Sequence, residues 1–457
     1  MTRSFARCSI AVFAAFCLVA PLSGALGHDV KPVAKKRSGQ RARSSSPQII
    51  PQKPRPGRHT GEAESLYYGG VALHAKGRYA EAVETFKAAL HKRPDFPEAH
   101  HAMGLSLAAQ GALDEAIQEY RAALSVQPEF AAIHNNLGVA LSEKGKLDEA
   151  IEAYRHAIRL QPGNAAPHHN LALALEAKED ADGAIEEYRE TLRLQPNNAT
   201  AHNNLGLVLQ RKGLLDEAIW EYRAALRLQA GSAAALYSVN LCAALLAKGE
   251  LDGAIGSGHT AIRLQPENAD AHYNLGLALK AKGDFSGALT AFREVLKLDP
   301  GQGALHYDVG QLLDRAGDSA GALAEYRAML MHQPSHAPTQ EAVAVLLQKQ
   351  GDLDGAIAAY RSALQATPNS VAAQNNLGVA LLNKGQVDDA LAAFRAAASL
   401  QPNDPVAYYN LGEAFIARNQ RGEAIQSYHR YIRLAESQPD HRDKVEAVRK
   451  QLAALEP

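Results

Sequence analysis

The chain repeats one sequence unit every 34 residues, and this period constrains its fold more than any other feature. The clearest copy is residues 131–164, AAIHNNLGVALSEKGKLDEAIEAYRHAIRLQPGN. A glycine and a proline recur at fixed places: Gly104, Gly138, Gly206, Gly276, Gly310, Gly378 and Gly412, and Pro94, Pro128, Pro162, Pro196, Pro266, Pro300, Pro334, Pro368 and Pro402. A period of this length predicts a solenoid, in which stacked units bury one another's apolar faces.

Each unit is predicted to form a helical hairpin. Its first half carries small and apolar residues at the spacing of one buried helix face, and Gly145 then interrupts the helix. Its second half has the same spacing around Tyr154 and ends at Pro162, because proline cannot extend a helix. Acidic pairs stand at the start of the second helix, where we expect them to act as N-caps. These pairs are Asp114-Glu115, Asp148-Glu149 and Asp216-Glu217.

The residues at these fixed places are similar to those of a known family. Leu-Gly in the first helix, Ala, Tyr and Ala in the second, and Pro at the end resemble the tetratricopeptide repeat. We assign the repeat array to residues 61–438, with eleven copies. The resemblance implies an all-α fold, an α-solenoid that winds as a right-handed superhelix of hairpins and binds peptides on its concave surface. The period alone indicates only stacked hairpins.

The sixth copy departs most from the pattern, near residues 230–259. Ala230 replaces the proline, two residues are inserted near Ala233, and Gly258 stands where other copies have Tyr or Phe. Cys242 takes the place of the glycine in the first helix, where we expect a small packed thiol. Because a missing aromatic removes packing between the helices, we predict an irregular, weak joint here.

The last residues, 439–457, follow the array. Four apolar residues lie on one helix face among charged residues: Val445, Val448, Leu452 and Leu455. The end of a solenoid needs a unit with a polar outer face. We therefore predict a C-terminal cap helix.

Residues 1–27 have the parts of an export signal. Arg3 and Arg7 precede an apolar stretch, and small residues form a cleavage site before His28. The apolar stretch is short for a bilayer-spanning helix. We expect a cleaved signal peptide and hence a periplasmic or secreted protein. A retained N-terminal membrane anchor and a lipoprotein are the alternatives.

Residues 28–60 are rich in Lys, Arg, Ser and Pro and nearly lack large apolar side chains. This composition predicts a disordered linker. The formal net charge of −1 therefore combines a basic linker with an acidic array. The cations between Lys31 and Arg58 either hold the protein near a membrane of anionic lipid or cell-wall polymer, or form a solvated spacer.

No motif for catalysis or for a cofactor is present in the sequence. It lacks a phosphate-binding loop, HExxH, CxxC and a serine elbow, so we expect no enzyme activity and no cofactor. Histidines recur in the first helix, but we expect successive copies to lie too far apart to share a metal ion. They are His100, His134, His168, His202, His272 and His306. An acidic array also argues against nucleic-acid binding.

Asparagines recur in the first helix, just before its buried leucine. They are Asn136, Asn170, Asn204, Asn240, Asn274, Asn376 and Asn410, and three of them follow Asn135, Asn203 and Asn375. Asparagine in a helix costs about 0.6 kcal/mol relative to alanine. Its amide offers a donor and an acceptor to an extended peptide. The series is similar to the asparagine ladder in the repeat arm of O-linked N-acetylglucosamine transferase, whose catalytic domain is absent here. Neutral, solvated asparagines are the alternative.

These features predict an exported, non-catalytic scaffold that binds extended polypeptide segments in its concave groove, where the asparagines of the first helices would contact them. One alternative is an accessory of cell-envelope assembly that acts through the basic linker. Another is a repeat-arm partner of a glycosyltransferase. No motif identifies the partner protein or the oligomeric state.

Overall fold

The computed structural model describes residues 61–456, so the predicted export signal and basic linker lie outside the described residues. In chain order the α-helices are α1 Glu62–Ala75, α2 Tyr79–Lys92, α3 Pro97–Ala109, α4 Leu113–Val126, α5 Ala131–Glu143, α6 Leu147–Leu160, α7 Ala165–Ala177, α8 Ala181–Leu194, α9 Ala199–Arg211, α10 Leu215–Leu228, α11 Ser232–Lys248, α12 Leu251–Leu264, α13 Ala269–Lys282, α14 Phe285–Leu298, α15 Leu305–Arg315, α16 Ser319–His332, α17 Ala337–Lys349, α18 Leu353–Ala366, α19 Val371–Asn383, α20 Val387–Leu400, α21 Pro405–Ala417, α22 Arg421–Ala435 and α23 Arg442–Leu455. A single 3₁₀ turn, Pro439–His441, precedes α23, and this part of the chain contains no strand. None of these helices is both long and apolar enough to cross a bilayer.

The described residues form two compact units, 61–282 with helices α1–α13 and 283–456 with helices α14–α23. We call the odd-numbered helices up to α21 the A helices and the even-numbered ones the B helices. Within each unit consecutive helices pack against each other, and A helices of neighbouring repeats are also in contact. The all-α solenoid is confirmed, and the A and B helices alternate through the eleven predicted copies.

The recurrent glycine and the recurrent aromatic residue meet between the two helices of a hairpin. In α5–α6, a Cβ atom added to Gly138 would lie 2.5 Å from Tyr154 Cε1, so the ring packs directly against the glycine. The Tyr154 side chain is 2% exposed. Close packing of this kind forfeits dispersion energy as soon as a gap opens. Gly138 and Tyr154, two of the residues that recur in the repeat pattern, therefore allow the two helices to pack closely.

The sixth hairpin, α11–α12, fills the same space differently. Cys242 on α11 is fully buried, and desolvation raises the pKa of its thiol to about 12, which makes it unreactive. A Cβ atom added to Gly258 on α12 would lie 3.1 Å from Leu275 Cβ, so α12 and α13 pack closely where the ring is missing. The compact units divide after Lys282, outside this hairpin. The weakness of the sixth copy stays a prediction.

The prediction that the acidic pairs cap the B helices is wrong. Helix α6 begins at Leu147, and its N-cap residue, Lys146, makes no side-chain capping hydrogen bond. Asp148 lies inside the first turn and pairs with Lys178 at the end of the next A helix. Asp114 with Lys144, and Asp216 with Lys248, repeat this pairing. The side chains that do cap B helices belong to Asp180, Asp284, Asp318 and Asp352.

The C-terminal helix α23 packs on α22 after the 3₁₀ turn. Its own residues Val445, Val448 and Leu452 are buried, while most of its charged side chains are exposed. An amphipathic helix of this kind covers the apolar edge that the last hairpin would otherwise leave open. The cap helix is therefore present where the sequence places it.

Candidate functional site

All ten asparagines of the predicted binding series lie on A helices, but their burial separates them into two groups. Asn136, Asn170, Asn203, Asn375 and Asn410 are buried. The half-exposed members are Asn135, Asn204, Asn240, Asn274 and Asn376. The amides of the second group retain access to solvent.

Several of these amides hydrogen-bond to the A helix of the preceding repeat. In each bond the Nδ2 atom of the asparagine that precedes the leucine donates to a side chain one repeat earlier. The bonds are Asn136 to His101 Nε2 (2.8 Å), Asn170 to Asn135 Oδ1 (3.0 Å), Asn240 to Asn203 Oδ1 (2.8 Å) and Asn410 to Asn375 Oδ1 (3.3 Å). The series is thus an inter-repeat hydrogen-bond ladder, a role that the sequence reasoning missed. Asn170 lies 35 residues after Asn135, which is one repeat plus one residue. This offset was the available sequence signal for the bond.

The hydrogen bond from Asn136 to His101 is the one whose loss has the clearest cost. The His101 ring is buried, and desolvation lowers its pKa to about 4, so the imidazole is neutral at pH 7. Its Nε2 atom therefore accepts a hydrogen bond from Asn136. A buried acceptor that loses its donor costs about 1–3 kcal/mol. Asn136 consequently has a structural role whether or not a partner binds.

The half-exposed asparagines stand beside apolar side chains on the same helix face. Asn204 precedes Leu207 by three residues, and Asn274 precedes Leu277 by three residues, which places each pair side by side on its A helix. Both leucines are half-exposed. In the unit of residues 283–456, Val379 follows Asn376 in the same way. Such a surface offers hydrogen bonds to a main chain and apolar contacts to its side chains.

The recurrent histidines connect the helices to the preceding proline turn. His202 Nε2 donates to the Pro196 carbonyl at 3.0 Å, and Nδ1 lies 2.5 Å from Glu221 Oε2. A carbonyl only accepts, so with an ionised Glu221 both ring nitrogens donate and the imidazole is protonated. The hydrogen bond to Glu221 accordingly raises the pKa of His202. Among residues 61–456, no cluster of three His, Cys, Asp or Glu side chains is arranged to hold a metal ion.

Sequence models of one family match the chain in several places. Models described as "Tetratricopeptide repeat" match residues 101–165, 199–231, 269–302, 344–405 and 382–440, and one described as "TPR repeat" matches 70–111, 177–213 and 243–283. The chain belongs to the tetratricopeptide-repeat family. Its fold is that of a protein-binding scaffold, and members of this family are typically non-catalytic.

The chain is also similar to solved structures of repeat proteins. The crystal structure of MamA is 27% identical, with 35% of this chain and 93% of MamA covered and a TM-score of 0.34. YrrB, described as "a TPR protein with an unusual peptide-binding site", is 24% identical, with 44% and 99% covered and a TM-score of 0.37. PilF of Pseudomonas aeruginosa is 21% identical, with 46% and 94% covered and a TM-score of 0.41. No curated protein sequence matches the chain.

Proposed function

We propose that the protein is an exported, non-catalytic scaffold whose A helices bind extended segments of a partner protein. The observation that carries this proposal is the alternation of half-exposed amides with half-exposed aliphatic side chains, as in Asn204 with Leu207 and Asn274 with Leu277. An extended peptide has unpaired main-chain donors and acceptors, which amide side chains can satisfy together. Its side chains would contact the neighbouring leucines.

The two groups of asparagines then have different tasks. The buried members, such as Asn170 and Asn203, hold adjacent A helices together through the ladder. Two half-exposed members, Asn135 and Asn240, also belong to the ladder. The others, Asn204, Asn274 and Asn376, contact the peptide, although Asn274 Nδ2 also donates to the Val239 carbonyl at 3.5 Å. A binding surface held by a rigid supporting layer loses less conformational entropy when the ligand binds.

A peptide array of unrelated extended sequences tests this division. The triple variant Asn204→Ala, Asn274→Ala and Asn376→Ala should keep its helical circular dichroism and lose about tenfold in peptide affinity. Asn170→Ala is the matched control, because it removes a ladder bond and should reduce stability rather than the affinity of the folded protein. Unchanged peptide binding by the triple variant would contradict the assignment to the A helices.

Export is proposed from residues 1–27, whose charged, apolar and small-residue segments follow the order of a signal peptide. The protein should therefore be found outside the cytoplasm, with its N-terminus at or near His28 after cleavage. N-terminal sequencing of the fractionated protein checks both points. An uncleaved N-terminus in the membrane fraction would favour the retained anchor instead.

The basic linker supports a second role at the cell envelope. Its cations between Lys31 and Arg58 would bind anionic lipid or wall polymer and keep the scaffold near the surface. A variant without this segment should be released from membranes or wall material while its repeat array still binds peptides. Retention without the linker would remove this candidate.

A further inference from the structure

A second candidate surface lies between two B helices, away from the asparagine series. Helices α8 and α10 and the start of α9 line a cavity that is open to solvent. Its volume is about 480 Å³, within the range of about 300–1,000 Å³ for ligand-binding clefts. Leu192, Trp220 and Leu228 form much of its apolar wall. Three cationic side chains also line it: Arg189, Arg193 and Arg227.

Trp220 is the residue that sets this cavity apart. It is the one tryptophan in the sequence, and its side chain is 57% exposed. Its ring meets the ring of His202 edge-on, with centroids 6.1 Å apart. The other copies carry small or polar residues at its place: Glu84, Gln118, Glu152, Glu186, Gly256, Thr290, Ala324, Ala358, Ala392 and Gln426. An indole here therefore contributes nothing that the hairpin needs to fold.

The charges around Trp220 leave one cation uncompensated. Arg189 pairs with Glu217 at 2.7 Å and Arg193 pairs with Glu190 at 2.7 Å. The third carboxylate, that of Glu221, is bound to His202. Arg227 has no ion pair within residues 61–456 and is exposed. An incoming carboxylate would thus find a guanidinium beside an apolar wall.

The equivalent cavity two repeats earlier provides an internal comparison. It has a volume of about 470 Å³, lies between α4 and α6, and is lined by Arg121, which occupies the place of Arg189. There, Glu152 stands in the place of Trp220, and Asp148 and Glu149 also line the wall. The two cavities are similar in volume and in place within the repeat but differ in chemistry, because a carboxylate replaces the indole in the earlier one.

We propose that the cavity around Trp220 is a second docking site, which binds a partner-protein segment carrying an apolar side chain next to a carboxylate. The apolar side chain packs on Trp220 and Leu228, and the carboxylate pairs with Arg227. Tryptophan and arginine are the residues that most often dominate binding energy at protein interfaces. A guanidinium can also hold a carboxylate through two parallel hydrogen bonds. This site is independent of the A-helix surface.

The full chain can be titrated with a dye-labelled peptide of repeated Asp-Phe-Asp-Gly units and with the charge-reversed peptide of Lys-Phe-Lys-Gly units. The emission of Trp220 reports binding at the cavity, because it is the one tryptophan. The acidic peptide should bind about tenfold more tightly than the basic one and should shift this emission. Saturable binding of the acidic peptide without any change in emission would place the site elsewhere and overturn the proposal.

Variants of Trp220 and Arg227 measure how much each residue contributes to peptide affinity. Trp220→Glu introduces the residue that Glu152 and Glu186 supply in other copies, so the fold should be kept, and affinity for the labelled peptide should fall about tenfold. Arg227→Gln should weaken binding about fivefold and retain the emission signal. Met331→Ala removes an apolar side chain that is 84% exposed on α16, and it should leave binding unchanged.

Three further results would also overturn the proposal. These are equal binding of the acidic and basic peptides, unchanged affinity in Trp220→Glu, or concentration-dependent dimers that Trp220→Glu abolishes. The last result would assign the surface to a second copy of the chain. Glu152→Trp offers a positive test, because it should create measurable binding in the equivalent cavity. The asparagine triple variant should leave the Trp220 signal intact, so failure of the A-helix surface can be distinguished from failure of this site.

Discussion

The third hairpin, α5–α6, and the sixth, α11–α12, solve the same packing problem with different residues. In the third, Gly138 makes room for the ring of Tyr154. In the sixth, the buried Cys242 replaces the glycine, Gly258 replaces the ring, and Leu275 of the next A helix lies close to Gly258. The comparison teaches that the two helices of a hairpin form and pack without the glycine and without the ring.

The largest expected difference concerns the buried ring. Tyr154→Ala should lower the local free energy of opening of α5–α6 by about 3–5 kcal/mol, because it leaves a cavity in a closely packed core. Cys242→Ala in the sixth hairpin should cost about 1 kcal/mol, since much less volume is lost. Hydrogen exchange is the appropriate measurement, because repeat arrays open repeat by repeat. Equal losses would contradict the difference in packing.

The same experiment on the unmodified protein tests the weak joint. If the sixth copy is a joint, the amides of α11–α12 should exchange faster than those of α5–α6. Equal protection of the two hairpins would mean that the sixth copy loses no local stability without its ring, and would contradict the weak joint.

Loss of a ladder hydrogen bond should lower stability by a similar amount near the third hairpin and near the sixth. Asn170→Ala removes a bond to Asn135 between regular copies, and Asn240→Ala removes a bond to Asn203 that reaches the sixth copy. Each should lower the local opening free energy by about 1–3 kcal/mol, because a partly buried acceptor loses its donor. The double variant Asn135→Ala and Asn170→Ala should lose less than the sum of the two single variants. A much smaller loss for Asn240→Ala would locate the joint in the ladder itself.

The pH dependence should separate the regular copies from the sixth. Because the pKa of His202 is raised, its stabilising contribution is complete below its unfolded value of about 6.5 and is lost as pH rises through the raised value. Protection of α9–α10 should therefore decrease as the pH rises above about 6.5. The sixth copy has Ser238 at this place, bonded to its own helix, and should lack this dependence.

His202→Gln is the matched variant for this pH effect. Gln340 occupies the same place in α17 and donates to the Pro334 carbonyl, so glutamine fits the turn. The variant should remove most of the decrease in protection of α9–α10 at high pH and cost about 1 kcal/mol at low pH. An unchanged pH profile would show that His202 is not the titrating group.

The smallest effect concerns the turn within the fourth hairpin. Glu179 has a φ of 64°, in the left-handed region, where the third hairpin has Gly145 with a φ of 74°. Glu179→Gly should stabilise α7–α8 by about 1 kcal/mol, because a non-glycine residue is disfavoured in this conformation. Gly145→Ala is the reciprocal control and should destabilise α5–α6 by a similar amount. Hydrogen exchange of α7–α8 and α5–α6 measures both changes in stability.

The sequence predicted the hairpins well because their signals are local. The stripe around Tyr154, the turn at Gly145 and the stop at Pro162 each act within one or two helical turns, and α6 ends two residues before that proline. The prediction for Asp148 failed because its partner, Lys178, lies 30 residues away in the next repeat. Local preference alone could not distinguish a cap from an inter-repeat ion pair.

For the candidate site, the sequence identified the recurrent asparagines but not what they contact. Burial divides adjacent residues, since Asn203 is 4% exposed and Asn204 is half-exposed. That division depends on how closely two A helices approach, which no single repeat specifies. The cavity at Trp220 is likewise visible only when α8 and α10 stand side by side.

The sequence by itself therefore determined the period, the helical hairpins and the membership of the tetratricopeptide-repeat family, because these follow from residue spacing within one unit. The tertiary structure alone decided which asparagines join repeats, how closely α13 approaches Gly258 in the sixth copy, and that Trp220 faces a cavity with Arg227. The physical reason is that these features arise from contacts between units, where distance in space is unrelated to distance along the chain.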